Sequence, residues 1–378
     1  MNAVVKSVVT HLSTLMRHAW RRRTLAQAYE NGVDNFLLLR FLAAAFVIFG
    51  HSYAVTGKPH HGDFIARAGW GSGLYTGSIA VDMFFVISGF LVSGSYVKRA
   101  NLEFFLKSRA LRILPAYVCC IVLSMFVLGA IFTELPLHEY FHTQGTWDYI
   151  YVNLQLSAPL IWNLPGVFVH NFMPNVVNGS IWTLPAEVRM YVWVAILGAL
   201  GVLQRRWLAN SVFAALMLIG TFAPDYVPLV LHPSHLRLAG MFLAGGICYV
   251  NRAWIPLHST FLAILIAVAI IAHSTLFFPY AFCAALVYFC FWFAYVPNFH
   301  FFNGFGDYSY GVYLWGFPVQ QAVSLLIGGA TRPRWNFLLS LPIALLLAIA
   351  SWHWIEKPAL RLKSRSNGRR TADTARAS

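Results

Sequence analysis

Apolar blocks of roughly 17–25 residues, the length of a bilayer-crossing helix, recur along almost the whole chain and leave few ways to fold it. At about 1.5 Å per helical residue, such a block spans about 30 Å of hydrocarbon. Strands of a membrane barrel would be shorter and would alternate in polarity. Helices satisfy their own backbone hydrogen bonds and are the spanning structure that remains. Composition agrees: 58% of the 378 residues are hydrophobic and 11% are charged, against about a quarter charged in soluble domains.

The blocks lie near residues 35–56, 76–97, 113–134, 186–203, 211–228, 236–251, 256–273, 276–295, 307–328 and 336–357. The fifth to seventh are short or closely spaced, so nine to eleven spans are compatible with the sequence. The expected fold class is an all-α, polytopic integral membrane protein of about ten transmembrane helices. Residues 135–185 are broken by Pro136, Pro159, Pro165 and Pro174 yet rich in Trp, Leu and Phe, which reads as a re-entrant or membrane-surface loop.

Placing the N-terminus in the cytoplasm puts twenty Lys and Arg on the inner side and four (Lys58, Arg67, Arg332 and Arg334) on the outer. Arg40, Arg189 and Arg237 fall in or at the edge of spans. That asymmetry is the positive-inside pattern and gives N-in, C-in. The formal charge of +14 is then matched by anionic lipid, and no nucleic-acid partner is called for. Residues 1–33 read as a cytoplasmic basic segment without a cleavable signal, 34–360 as the transmembrane domain, and 361–378 as a basic, disordered cytoplasmic tail. The five cysteines all fall in expected spans without metal-ligand spacing, so they read as packing residues and no metal is expected.

Ionisable residues at membrane depth are costly and usually face a bundle interior or a pathway. Arg40 and His51 lie eleven residues apart in one apolar segment. At 100° per residue they differ by only about 20° in azimuth and by about 16 Å in height. They could simply snorkel and cap at the two interfaces, or mark a polar track with His51 as a base near neutral pKa. Asp82 in the second span falls at a depth comparable to His51. It could orient that imidazole, as in catalytic triads, or pair structurally with Arg40 or Arg189. Ser88-Gly89 beyond it reads as a close helix contact. Arg109 and Arg112, three apart at the mouth of the third span, could grip a phosphate together or merely anchor topology. In NGSIWTLPAEVRMYV, Asn178-Gly179 reads as a turn, Thr183 as a cap and Pro185 as a first-turn residue. Glu187 then sits just inside the outer surface, with Ser180, Trp182 and Tyr191 nearby. Trp182 could hold a sugar or act as an interfacial anchor.

Taken together, these segments resemble the family-3 membrane acyltransferases, which move acyl groups, often acetyl, from acyl-CoA to hydroxyls of extracytoplasmic glycans. The matching features are Arg40 with ten residues before His51, VDMFFVISGFLVS at 81–93, RALR at 109–112, NGSIWTLPAEVRMYV at 178–192 and DYSYGVYLWGFPV at 307–319. The resemblance runs from about residue 34 to 360. It implies His51 as catalytic base, Arg40 in support, Arg109 and Arg112 on the phosphates of CoA, and Glu187 with Ser180, Trp182 and Tyr191 near the acceptor. It also implies acyl-CoA, acetyl-CoA first, as co-substrate rather than as a permanently bound cofactor. The acceptor would be a glycan, lipid-linked sugar or other hydroxylated molecule, reached by direct transfer or through an acyl-His. The setting would be lipid, in the inner (plasma) membrane. Relatives often carry His after the YLW, where this chain has Gly316. A multi-span transporter or flippase is the alternative, for which the same ionisable residues would form a substrate or proton path.

Overall fold

The computed structural model describes residues 23–58, 62–68, 74–157, 159–228, 230, 233–328 and 332–363. Most of the N-terminal basic segment and the tail from 364 lie outside the described residues. All ten apolar segments read from sequence form helices. They are α2 (Phe36–Val55), α3 (Thr76–Arg99), α4 (Leu102–Phe132), α7 (Leu184–Ala199), α8 (Arg206–Phe222), α9 (Pro233–Val250), α10 (Ser259–Ile271), α11 (Phe278–Tyr295), α12 (Ser309–Leu326) and α13 (Pro333–Lys363). A short helix α1 (Leu25–Glu30) precedes them, and α5 (Leu137–His142) and α6 (Gln144–Leu154) lie in the long connection. Among the described residues there is no sheet, only three isolated bridges.

Five of the helices (α2, α3, α4, α11 and α13) are long and apolar enough to cross a membrane by length and composition. The others are shorter or carry more polar side chains. α12, for example, buries Gln320, Gln321 and Ser324 completely. The boundaries also differ from the expectation at one informative place. Asn101 caps α4, its side chain accepting from the Phe104 N–H at 2.8 Å. The helix therefore begins well before residue 113, and Arg109 and Arg112 ride on it.

α3 forms the centre of the bundle, with 78% of its apolar window buried. Its approach to α9 is backbone against backbone. A Cβ at Gly89 would lie 1.9 Å from the Phe242 carbonyl oxygen, and one at Gly245 would lie 2.1 Å from that of Val86. Small residues allow this because helices buried in lipid gain from close packing rather than from hydrophobic expulsion. Residues 24–30 dock on the same body: Leu25 and Ala28 are fully buried, and the Leu25 N–H donates to Ile255 O at 2.8 Å.

Polar groups at depth find specific partners. Pro318 lies inside α12 and has no N–H, so the Leu314 carbonyl one turn earlier has no helical donor. Asn178 fills the vacancy, its Nδ2 donating to Leu314 O at 3.0 Å, while its Oδ1 accepts from the Ser180 N–H at 3.1 Å. Gln321 Nε2 donates to the Met173 and Val176 carbonyls at 2.8 and 2.6 Å. The 155–179 connection is thus stitched to α12, and the turn that follows is held in register.

Gly89→Ala should lower the thermal midpoint of the detergent-purified protein by the equivalent of about 1–3 kcal/mol, the usual cost of overpacking. Gly240→Ala on α9, where a Cβ would meet nothing within 4 Å, should be neutral or mildly stabilising in the same melt.

Candidate functional site

Among the described residues, a cavity opens between the helices at each end of α2. The first, of about 110 Å³, is lined by Arg40, Arg109, Arg112, Glu187 and Tyr191 together with an apolar wall from α3 that includes Phe84, Phe85 and Ser88. The second, of about 530 Å³, is lined by His51, Tyr75, Trp162, Trp182, His235 and Phe317, among others. Arg40 and His51 thus belong to different chambers although they share one face of one helix. The positive-inside expectation would turn the arginine cavity toward the cytoplasm and the histidine cavity toward the outside.

The segment around 179–187 faces both chambers. Gly179, Trp182 and Pro185 line the histidine cavity, whereas Thr183, Leu184 and Glu187 line the arginine cavity. Trp182 lies in the 3-10 turn Ser180–Thr183 and Glu187 in the first turn of α7, and the two side chains line different chambers. Tyr313 on α12 braces this septum: its hydroxyl lies 2.6 Å from Thr183 Oγ1 and 2.5 Å from Ser180 O.

Glu187 and Tyr191, expected beside the acceptor with Trp182, are therefore found among the arginines. They sit one turn apart on α7, and the Tyr191 hydroxyl donates to the Glu187 carboxylate. Ser180 and Trp182 do lie beside His51. The Ser180 hydroxyl is 3.4 Å from His51 Nδ1, and the Phe317 ring meets the imidazole edge-to-face at 5.3 Å. Trp182 stacks on His235 with ring planes 15° apart.

Arg112, expected as a phosphate ligand with Arg109, is already engaged by two carboxylates. It contacts Asp307 at 2.6 Å and Glu356 at 3.6 Å, while Arg40 contacts the same Asp307 oxygen at 2.8 Å. Glu356 is presented by a π-helical turn, Trp352–Glu356, in α13 and is also held by the Ser351 hydroxyl at 3.0 Å. The four charges neutralise one another. Arg109 is different: it packs over the Tyr191 and Phe105 rings at 5.8 and 6.0 Å, and its Nε is buried without a hydrogen-bond partner.

Asp82 does not join His51. Neither of its carboxylate oxygens has a hydrogen-bond partner, and its ion pair, at 3.2 Å, is with Arg237 of α9. The reason is its position on α3. Asp82, Val86, Gly89 and Ser93 recur on one stripe, and Val86, Gly89 and Ser93 all face α9. The cavity-facing stripe of α3 is the one that carries Phe84, Ser88 and Leu91. Neither Arg40 nor Arg189 is its partner.

Comparison with known proteins bears on what such a site does. The model of the acyltransferase domain family matches residues 33–353. The chain belongs to the family-3 acyltransferases. An O-acetyl transferase of Shigella phage Sf6 is 29% identical over 347 residues, covering 86% of this chain and 95% of that protein. Nodulation protein 10 of Rhizobium leguminosarum bv. viciae is 29% identical over 198 residues, half of each chain. No solved structure matches the chain significantly. The protein is therefore a membrane acyltransferase that performs O-acyl transfer. Gly316, where relatives often have His, packs against α2, and a Cβ there would lie 2.7 Å from Ile48 Cγ1.

Residues that carry the site but had no assigned role in the sequence are Asp307, Glu356, Tyr313 and Arg237. Asp307 opens DYSYGVYLWGFPV, so a carboxylate at the edge of an apolar span was the signal for it. Removing it leaves the partly buried Arg40 without its carboxylate and Arg112 with Glu356 alone. Asp307→Ala should destabilise the purified acyltransferase by about 3–5 kcal/mol, the cost of orphaning buried charges, whereas Arg109→Gln should shift the same melting curve by less than about 1 kcal/mol.

Proposed function

We propose that the protein transfers an acetyl group from acyl-CoA in the cytoplasm to a hydroxyl of an extracytoplasmic glycan or glycolipid, with His51 as general base. One observation carries this: a single helix holds Arg40 in a narrow cationic chamber and His51 in a wide aromatic one, with a thin septum between. A reaction whose two substrates arrive from opposite sides of a membrane calls for such a pair of chambers. The narrow one suits the slender thioester arm of the donor. The wide one, lined by Trp162, Trp182, Tyr75 and His235, suits a sugar, which stacks its apolar face on aromatic rings and offers hydroxyls to the imidazoles. The Shigella phage relative, named an O-acetyl transferase, supports acetyl as the group moved. The multi-pass inner-membrane setting follows from the same division of substrates.

The chemistry needs no permanently bound cofactor. His51 Nε2 accepts the proton of the acceptor hydroxyl as its oxygen attacks the thioester carbonyl. The C–S bond then breaks, and the departing thiolate takes the proton from the imidazolium, leaving an ester and free CoA. Ser180 beside Nδ1 holds the tautomer in which Nε2 is the base, the orienting role that Asp82 does not fill. Arg40 stands about 16 Å away, and its part is positional: through Asp307 it fixes the azimuth of the helix that carries His51.

Radiolabelled acetyl transfer by protein reconstituted in nanodiscs tests the assignment. His51→Ala should lose about 10²–10⁴ of the rate, the usual contribution of a positioned general base, with an unchanged melting temperature. A near wild-type rate in that variant would overturn the scheme.

A further inference from the structure

Beside the arginine cavity, which Arg109 lines, two further cations share one aromatic ring, with Glu103 the carboxylate next to that ring in the chain. Arg99 closes α3, Lys363 closes α13, and Arg109 rides on α4. The Arg99 guanidinium lies 4.1 Å and the Lys363 ammonium 5.3 Å from the centroid of one ring, that of Phe104. Arg109 and Arg99 both act on Lys363 with like-charge repulsion. None of the three makes an ion pair among the described residues, in contrast to Arg40, Arg112 and Arg237, each of which does. Lys363 and Arg109 are nevertheless half-buried, with Arg99 exposed above them. Holding like charges together, partly desolvated, is unfavourable unless an anion joins them. Glu103 and Lys107 occupy the same first turns of α4, and the balance of the patch remains positive.

We infer that Arg99, Lys363 and Arg109 form a binding site for a phosphate monoester, with Phe104 as its floor, and that its occupant is the 3′-phosphate end of the nucleotide of the donor. This rests on the proposed use of acyl-CoA and extends it outward. Arg109 lines the narrow cavity and reaches the cluster, so a donor whose thioester arm enters past Arg109 leaves its nucleotide over Arg99 and Lys363. Arg112, although three residues from Arg109, is excluded by its two carboxylates. The pair of arginines in RALR is thus split: one is structural and one belongs to a ligand site built from three helices. Lipid phosphate has the same chemistry and is the competing source.

Binding of CoA and of dephospho-CoA, which lacks only the 3′-phosphate, separates these readings. Titrations are run on the full chain in phosphatidylcholine nanodiscs and repeated with phosphatidylglycerol. The wild type should bind CoA at least about tenfold more tightly than dephospho-CoA, the equivalent of one charge-assisted contact. Arg99→Gln with Lys363→Gln should erase that difference, and Lys363→Arg should retain it. Discrimination that survives the double substitution would overturn the site while leaving the donor assignment intact. So would a double variant that changes only the response to phosphatidylglycerol, which would make this a lipid site. A wild type that binds neither nucleotide would overturn the donor itself. Melting curves of both variants confirm that folding is not what changed.

Discussion

Asp307 stands where four helices meet, and the orientation of the rest depends on it. It precedes α12 and accepts from Arg40 of α2 and Arg112 of α4, while Arg112 reaches Glu356 of α13. An unpaired cation at membrane depth costs at least about 2.5–3.5 kcal/mol, so neither arginine could sit here alone. Two cations and two anions packed together remove that penalty for all four. They also fix each helix about its own axis, because a guanidinium meets a carboxylate only over a small range of angles. On α2 this has a consequence at a distance. Arg40 and His51 are three turns and about 20° apart, so clamping Arg40 sets the direction in which His51 points.

The class of fold and the ten helical segments were legible because apolar block length is a direct consequence of bilayer thickness. The charges were legible as costly, but their partners were not. Asp82 illustrates why. Depth alone put it level with His51, yet depth says nothing about azimuth. The stripe Asp82, Val86, Gly89, Ser93 faces α9, and its glycine, already visible as a packing residue, marks that stripe as a helix contact. Glu187 and Trp182 failed to meet for the same reason, being on opposite sides of one segment. Arg112 could not be separated from Arg109 by spacing, since its carboxylates lie about 195 and 244 residues further along the chain, at 307 and 356. Helical phase is readable from a sequence. The neighbour that each phase meets is a property of the bundle.

Backbone chemistry ties the two levels together. A proline in α12 removes one N–H, which releases the Leu314 carbonyl, and Asn178 takes it. That single exchange anchors the turn from which Ser180 approaches His51 and from which Thr183 meets Tyr313. A helix defect is thus converted into an attachment point for the septum. Irregular backbone is tolerated at this depth only where protein side chains satisfy it, and Asn178, Gln321 and Tyr313 supply that satisfaction here.

The septum also bears on how water is kept from the chemistry. A thioester exposed to water at an active base would hydrolyse, and enzymes commonly prevent this by exclusion. Here His51 and the cationic chamber are divided by Ser180–Thr183 and Tyr313, joined by two short hydrogen bonds. Under the proposed chemistry the acyl end must displace or thread past that wall to reach His51. The hydrogen bonds that hold it are between neutral groups, worth only about 0.5–1.5 kcal/mol each. The contrast with the ion network is physically apt. The strong interactions lie around Asp307, and under the proposed chemistry the weak ones lie where the acyl group would pass.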